Sequence, residues 1–227
     1  MKLTSHGAVD TTFGTDGHVT LDIEQGGDSP RTAIVQPDGK IVVSGHTRET
    51  NDVVTTVLFR LLSNGQFDPS FGKNRVLNVA LLASVAEAYD VALQGQNLVI
   101  AGYGRETSTG AVDIISARFL SDGTWDKTYG NNGVAVIDVA GQDDRSRTLQ
   151  TLPDQGVLIV GQGKPTATTQ DGALGLLTPM ASAIQNSMQW RRAYRPRRSS
   201  GCLFGLALSP YKTKAVAVGW KGLTLQQ

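Results

Sequence analysis

The chain contains a single cysteine, Cys202. No disulfide can form within it, which fits a reducing compartment without requiring one. No run of about 18 apolar residues occurs, so no membrane-spanning helix is expected. The N-terminus, Met1-Lys2-Leu3-Thr4-Ser5-His6-Gly7, lacks the apolar core of a signal peptide. The expectation is a cytoplasmic protein, or one whose export signal is missing from this chain. Aromatic residues make up only 6%, and the formal net charge is +1. No global charge therefore points to nucleic acid or a membrane surface. The neutral total conceals two opposed parts. Residues 183–227 hold eight Lys and Arg and no acid, whereas residues 1–182 hold 13 basic and 20 acidic residues.

What is plentiful is glycine, at 26 residues, and much of it recurs at fixed intervals. Gly7-Ala8-Val9-Asp10-Thr11-Thr12-Phe13-Gly14, Gly65-Gln66-Phe67-Asp68-Pro69-Ser70-Phe71-Gly72 and Gly123-Thr124-Trp125-Asp126-Lys127-Thr128-Tyr129-Gly130 align without gaps, their Asp residues 58 apart. Short apolar runs end at Gly45, Gly102, Gly161 and Gly219, spaced 57, 59 and 58 residues. Leu58-Phe59-Arg60-Leu61-Leu62 and Ser116-Ala117-Arg118-Phe119-Leu120 precede the second and third Asp at the same interval, and Lys2 aligns with Arg60 and Arg118. A fixed period of this size indicates a repeat architecture.

Each unit carries four short β-signals rich in Val, Ile, Leu and Thr and bounded by turn residues. In the first unit these are His18 to Ile23, Arg31 to Val35, Lys40 to Gly45 and Val53 to Leu62. Gln36-Pro37-Asp38-Gly39 is a strong turn, because Pro presets φ and Gly accepts a positive φ. Ser84 to Leu93 is the best helical candidate, but its register matches strands elsewhere. Four strands per unit is blade-like. The fold expected is therefore all-β: a β-propeller of about four four-stranded antiparallel blades with a 58-residue repeat, in a single domain. Blades are placed at about 9–66, 67–124, 125–182 and 183–227, with 1–8 as the strand closing the last. Closure is expected either as a four-bladed monomer or as half of a larger dimeric ring.

The residues just quoted resemble the bacterial delta-60 repeat family, whose pattern joins an Asp-x-x-Phe-Gly turn, a Pro-Asp-Gly-Lys hairpin and an Ile-Val-Val-x-Gly strand. The first unit has all three, at Asp10 to Gly14, Pro37 to Lys40 and Ile41 to Gly45. The second replaces the hairpin with Gln94-Gly95-Gln96-Asn97, the third has Tyr129 for Phe, and the fourth keeps only its strands. The resemblance implies propeller blades, usually in large surface or secreted bacterial proteins, and supplies little function. The compartment stays open.

Several residues could bear chemistry. One Asp per unit does not converge on a single ion, so Asp10, Asp68 and Asp126 are expected to form Asx turns. Val9, Phe67 and Trp125, with Phe13, Phe71 and Tyr129, are expected to pack one unit on the next. Gly161-Gln162-Gly163-Lys164 is no P-loop, because Leu158 stands where a glycine is needed. His6, His18 and His46 lack metal-ligand spacing, Cys202 has no partner base, and no Gly-x-Ser-x-Gly elbow exists. No metal, cofactor or catalytic residue is assigned. Arg48, Arg105 and Lys164 recur three residues after the strand-ending glycines and would form a partial ring on the loop face. Arg191, Arg192, Arg195, Arg197 and Arg198, beside Trp190 and Tyr194, have the composition of an anion-binding patch. The leading expectation is a non-enzymatic binding or assembly module with a protein or polyanionic partner, forming a homodimer if the ring has two chains. The alternatives are a lactonase-like propeller hydrolase with a metal or polar site in its channel, and a structural fragment of a longer repeat array.

Overall fold

A computed structural model describes residues 1–23, 27–49, 53–72, 75–139, 141–166, 169–181, 201–208 and 215–221. Among these every regular element is a β-strand. The strands fall into four successive groups. The first holds β1 (Ser29–Val35), β2 (Ile41–Arg48), β3 (Val54–Leu61) and β4 (Val76–Val79), and the second β5 (Val85–Gln94), β6 (Asn97–Arg105), β7 (Asp113–Phe119) and β8 (Val134–Ile137). The third holds β9 (Arg145–Thr151), β10 (Val157–Thr166) and β11 (Thr169–Leu177), and the fourth β12 (Gly201–Leu208) and β13 (Ala215–Lys221). Within each group neighbours in sequence pair antiparallel. A single parallel bridge, Val54 to Val85, joins the first group to the second.

Local sequence explains the turns. Gln36 N–H donates to the Lys40 carbonyl, Gly39 N–H donates to that of Gln36, and Gly39 takes φ 81°. The segment with helical character lies in β5, a strand like its equivalents. The pairing is offset from the sequence units. β4 belongs by register to the unit beginning near residue 67, yet it pairs with β3 of the unit before, and β8 pairs with β7 in the same way. The first two groups thus take their outer strand from the following unit, which interlocks consecutive repeats. Residues 18–23, the equivalent of β4, form no strand; among the described residues no preceding strand stands beside them. The segment 1–8 bonds within its own turn: Lys2 N–H donates to Gly17, Asp10 N–H donates to Lys2, and Leu3 bridges Val9.

The recurring strand-ending glycines have one cause. The first strand of every group carries a β-bulge at the same register, leaving Arg31, Tyr89, Arg147 and Phe204 without a partner. A bulge pushes its strand towards the one opposite. A Cβ on Gly45 would lie 2.3 Å from the Ser29 carbonyl oxygen, on Gly102 1.7 Å from that of Glu87, and on Gly161 2.0 Å from that of Arg145. No side chain fits at these three positions.

The core runs through the repeats. Phe71 and Phe119 join Leu58, Leu98, Ile100 and Ile115 in one cluster, and Tyr129 joins Ile114, Ile137, Leu149 and Ile159 in the next. Each such side chain, fully buried, contributes roughly 1.5–3 kcal/mol. Phe13, Phe71 and Tyr129 are buried, as expected of residues packing one unit on the next, but Val9 is exposed. β1 packs beside β5, β5 beside β9 and β9 beside β12, so the opening strands of the four groups lie side by side.

Candidate functional site

Charged residues organise this frame at three levels. The first is a cassette repeated in every Asp turn. Asp68 Oδ1 accepts the Ser70 N–H (2.9 Å) and hydroxyl (2.6 Å), and Asp126 does the same with Thr128 (3.0 and 2.6 Å). These are the expected Asx turns. The other carboxylate oxygen meets a basic side chain eight residues earlier. Arg60 Nε lies 2.8 Å from Asp68, Arg118 Nε 2.8 Å from Asp126, and Lys2 Nζ 2.9 Å from Asp10. The same guanidiniums cover the buried rings, Arg60 at 4.7 Å from Phe71 and Arg118 at 4.9 Å from Tyr129. Both then reach one repeat further, Arg60 donating to the Ser121 carbonyl and Arg118 to that of Pro179. Gly72 N–H and Gly130 N–H bond Asp122 and Met180 in parallel. Burial pushes the Asp68 and Asp126 carboxyls up, but bonds from Ser70 or Thr128 and from the arginines outweigh it and hold both well below the usual range. The recurring acids are therefore ties between repeats.

The second level is an acidic cluster. Asp113, Asp138 and Asp144 offer carboxylate oxygens within 4.8 Å of one another. Burial, then the charges of Asp138, Asp144 and Asp143, push the Asp113 carboxyl up to about 6. Asp144 is fully buried and braces its loop, accepting the N–H groups of Val139 (2.6 Å) and Lys164 (3.0 Å). Positive charge is already present, since Arg145 and Lys164 approach Asp143 at 3.6 and 3.7 Å. A calcium ion takes six to eight oxygens, and this triad shares its surroundings with two cations.

The third level lies on the opening strands. The bulged positions bring Arg31, Tyr89 and Arg147 together, with the guanidinium carbons 4.5 and 4.8 Å from the Tyr89 ring centroid. Tyr103 stands 5.3 Å from Tyr89, and Arg145 lies 4.9 Å from Tyr103. Glu87 lies 3.5 Å from Arg31 and 3.6 Å from His46. Burial holds His46 below its ordinary value against the pull of Glu87. Burial, then hydrogen bonds with Tyr89 and Glu87, push the Tyr103 hydroxyl up.

The loop-end cations stand in equivalent places. Arg48 and Arg105 end β2 and β6, and Lys164 lies near the end of β10. Each is tied to its own group: Arg48 exchanges backbone bonds with Gly27, Arg105 accepts from Ser84, and Lys164 pairs with Asp143. Arg191, Arg192, Arg195, Arg197 and Arg198 lie outside the described residues.

Residues 36–71 match the family model described as "Domain of unknown function (DUF5122) beta-propeller". The match covers the Pro37–Lys40 turn, β2, β3 and the complete Arg60–Asp68–Phe71 cassette. No curated protein matches the chain. With the all-β groups it supports a β-propeller type of fold. Among the described residues no helix is long and apolar enough to cross a membrane.

The sequence reading missed the group around Tyr89. The signal was present, since Arg31, Tyr89 and Arg147 are each 58 residues apart.

Proposed function

We propose that the chain is a non-enzymatic binding or assembly module that presents its loop ends to an anionic partner. The observation carrying this reading is the placement of Arg48, Arg105 and Lys164 at one register of three successive groups. The frame beneath them is cross-tied, with the cassette carboxylates taken up by Arg60 and Arg118. Arg48 is exposed and Arg105 and Lys164 are half-buried; cations held at one spacing on strand ends meet a polymeric anion without the cost of ordering a loop. The basic stretch containing Arg191, Arg192, Arg195, Arg197 and Arg198 extends the same charge, so residues 183–227 complement either a partner or the acidic remainder of another chain. The four groups are taken as blades of a delta-60-like repeat, closed within one chain or between two.

Retention on an immobilised polyanion such as heparin, eluted with salt, tests this reading. Charges at the surface are screened over about 10 Å at 0.1 M salt. The Arg48→Ser/Arg105→Ser/Lys164→Ser variant and a separate variant with the five arginines of 191–198 changed to Ser should both elute at lower salt than the wild type. Co-elution of both variants with the wild type would refute the proposal.

A further inference from the structure

The arginines of the frame differ in what neutralises them. Arg60 and Arg118 have carboxylates at 2.8 Å, Arg31 has Glu87 at 3.5 Å, and Arg145 has Asp143 at 3.6 Å. Arg147 makes no ion pair and donates no hydrogen bond among the described residues. Its Nε is shut off from solvent without a partner, and its ring contact is the face of Tyr89 at 4.8 Å. Nε of Arg145 is also buried and unpartnered. A partly desolvated cation without a counter-ion is unfavourable unless an anion is supplied from elsewhere.

The backbone reinforces the point. A bulge gives up ladder bonding to re-aim a side chain, and here the same bulge recurs at Arg31, Tyr89 and Arg147. It gathers two guanidiniums from different groups at one ring, with Arg145 and Tyr103 adjoining. A guanidinium stacked on a ring uses its face, and its N–H edges stay in the plane to grip two oxygens at once.

We propose that Arg147, flanked by Arg31 and Arg145, is the seat of a small-oxyanion site on the opening strands β1, β5 and β9, built for a ligand bearing a carboxylate or a sulfate-like group. Tyr89 and Tyr103 fix the guanidiniums, and Glu87 partly offsets Arg31. This site is centred on Arg147 and not on the loop-end cations proposed to meet a polymeric partner, although Lys164 shares Asp143 with Arg145.

Calorimetric titration of the full chain at fixed ionic strength tests it, with sodium glucuronate and sodium sulfate as probes and glucose as the neutral control. The wild type should bind one anion per chain and no glucose. Binding of glucuronate alone supports the site as a carboxylate site; binding of sulfate alone, or of both, supports it as a general oxyanion site. Arg147→Gln should weaken binding by roughly tenfold or more, about the loss of one charge-assisted contact, and Lys127→Ser should leave it unchanged. Glu87→Gln removes the competing carboxylate and should tighten binding. The proposal is overturned if the wild type binds neither anion, or if Arg147→Gln binds as well as the wild type. Should Arg147→Gln fail to fold, unchanged or weaker binding by Glu87→Gln overturns it. Loss of small-anion binding in the Arg48/Arg105/Lys164 variant, with Arg147→Gln unaffected, would also overturn it and would leave the loop-end reading intact.

Discussion

Arg60 and Asp68 meet at 2.8 Å eight residues apart in the chain, both nearly buried, and the arginine goes on to bond the Ser121 carbonyl one repeat later. A local turn and a long-range tie are thus the same interaction. Removing one partner of a buried pair leaves the other charged and uncompensated. Asp68→Ala should therefore cost about 3 kcal/mol, well above the ~1 kcal/mol of a simple lost turn bond. Asp10→Ala, whose partner Lys2 is 45% exposed, should cost much less. Urea denaturation of both variants measures the difference. Equal losses would show that the arginine adds nothing to the turn.

The bulged strands leave no room for a side chain on the glycines opposite. Gly102→Ala would place a Cβ 1.7 Å from the Glu87 carbonyl oxygen, so backbone must move. A loss of about 2–3 kcal/mol is expected. Gly27→Ala, whose nearest neighbour would be the Arg48 Cβ at 3.6 Å, should change stability by less than about 1 kcal/mol. Thermal melts of the two variants distinguish them, and a harmless Gly102→Ala would refute the packing explanation of the recurring glycine.

Arg75 is left-handed, φ 74°, where the equivalent Gly17 and Gly133 have φ 85° and 98°. A side chain in that conformation costs roughly 1–2 kcal/mol. Arg75→Gly should raise stability, by about 0.5–1 kcal/mol once the greater freedom of unfolded glycine is subtracted. A lower midpoint in urea would contradict this.

How much was legible in the sequence follows from what each signal encodes. The Pro37-Asp38-Gly39 turn and the Asp68 and Asp126 turns depend on neighbouring residues, and the sequence places them correctly. The alignment of Lys2, Arg60 and Arg118 was equally visible, but the tie to the Asp row depends on how the turn folds back. The bulges were not legible, because the glycines look like strand ends until the close approach to the opposite backbone is seen. For the same reason Arg31, Tyr89 and Arg147 stood at equal spacing without announcing contact. The outer strands also escaped, since β4 and β8 pair with the unit before their own.

Asp113 provides a pH test. Its folded value of about 6 lies above the ordinary 3.8. Folding therefore favours the protonated form, and ionisation between about pH 4 and 6 lowers stability. Asp113→Asn should be more stable than the wild type above pH 6, and the gap should close towards pH 4. A difference that is flat with pH would mean that the neighbouring carboxylates do not act on Asp113.

The central claim is that each cassette ties its repeat to the next, and amide hydrogen exchange on Asp126→Asn tests it most directly. Arg118 donates to Pro179, and Gly130 N–H bonds Met180 at 2.8 Å. Exchange should quicken at Gly130 and in β9, β10 and β11, while β1, β2 and β3 keep wild-type protection. Uniform acceleration across all groups, or none at Gly130, would contradict the account.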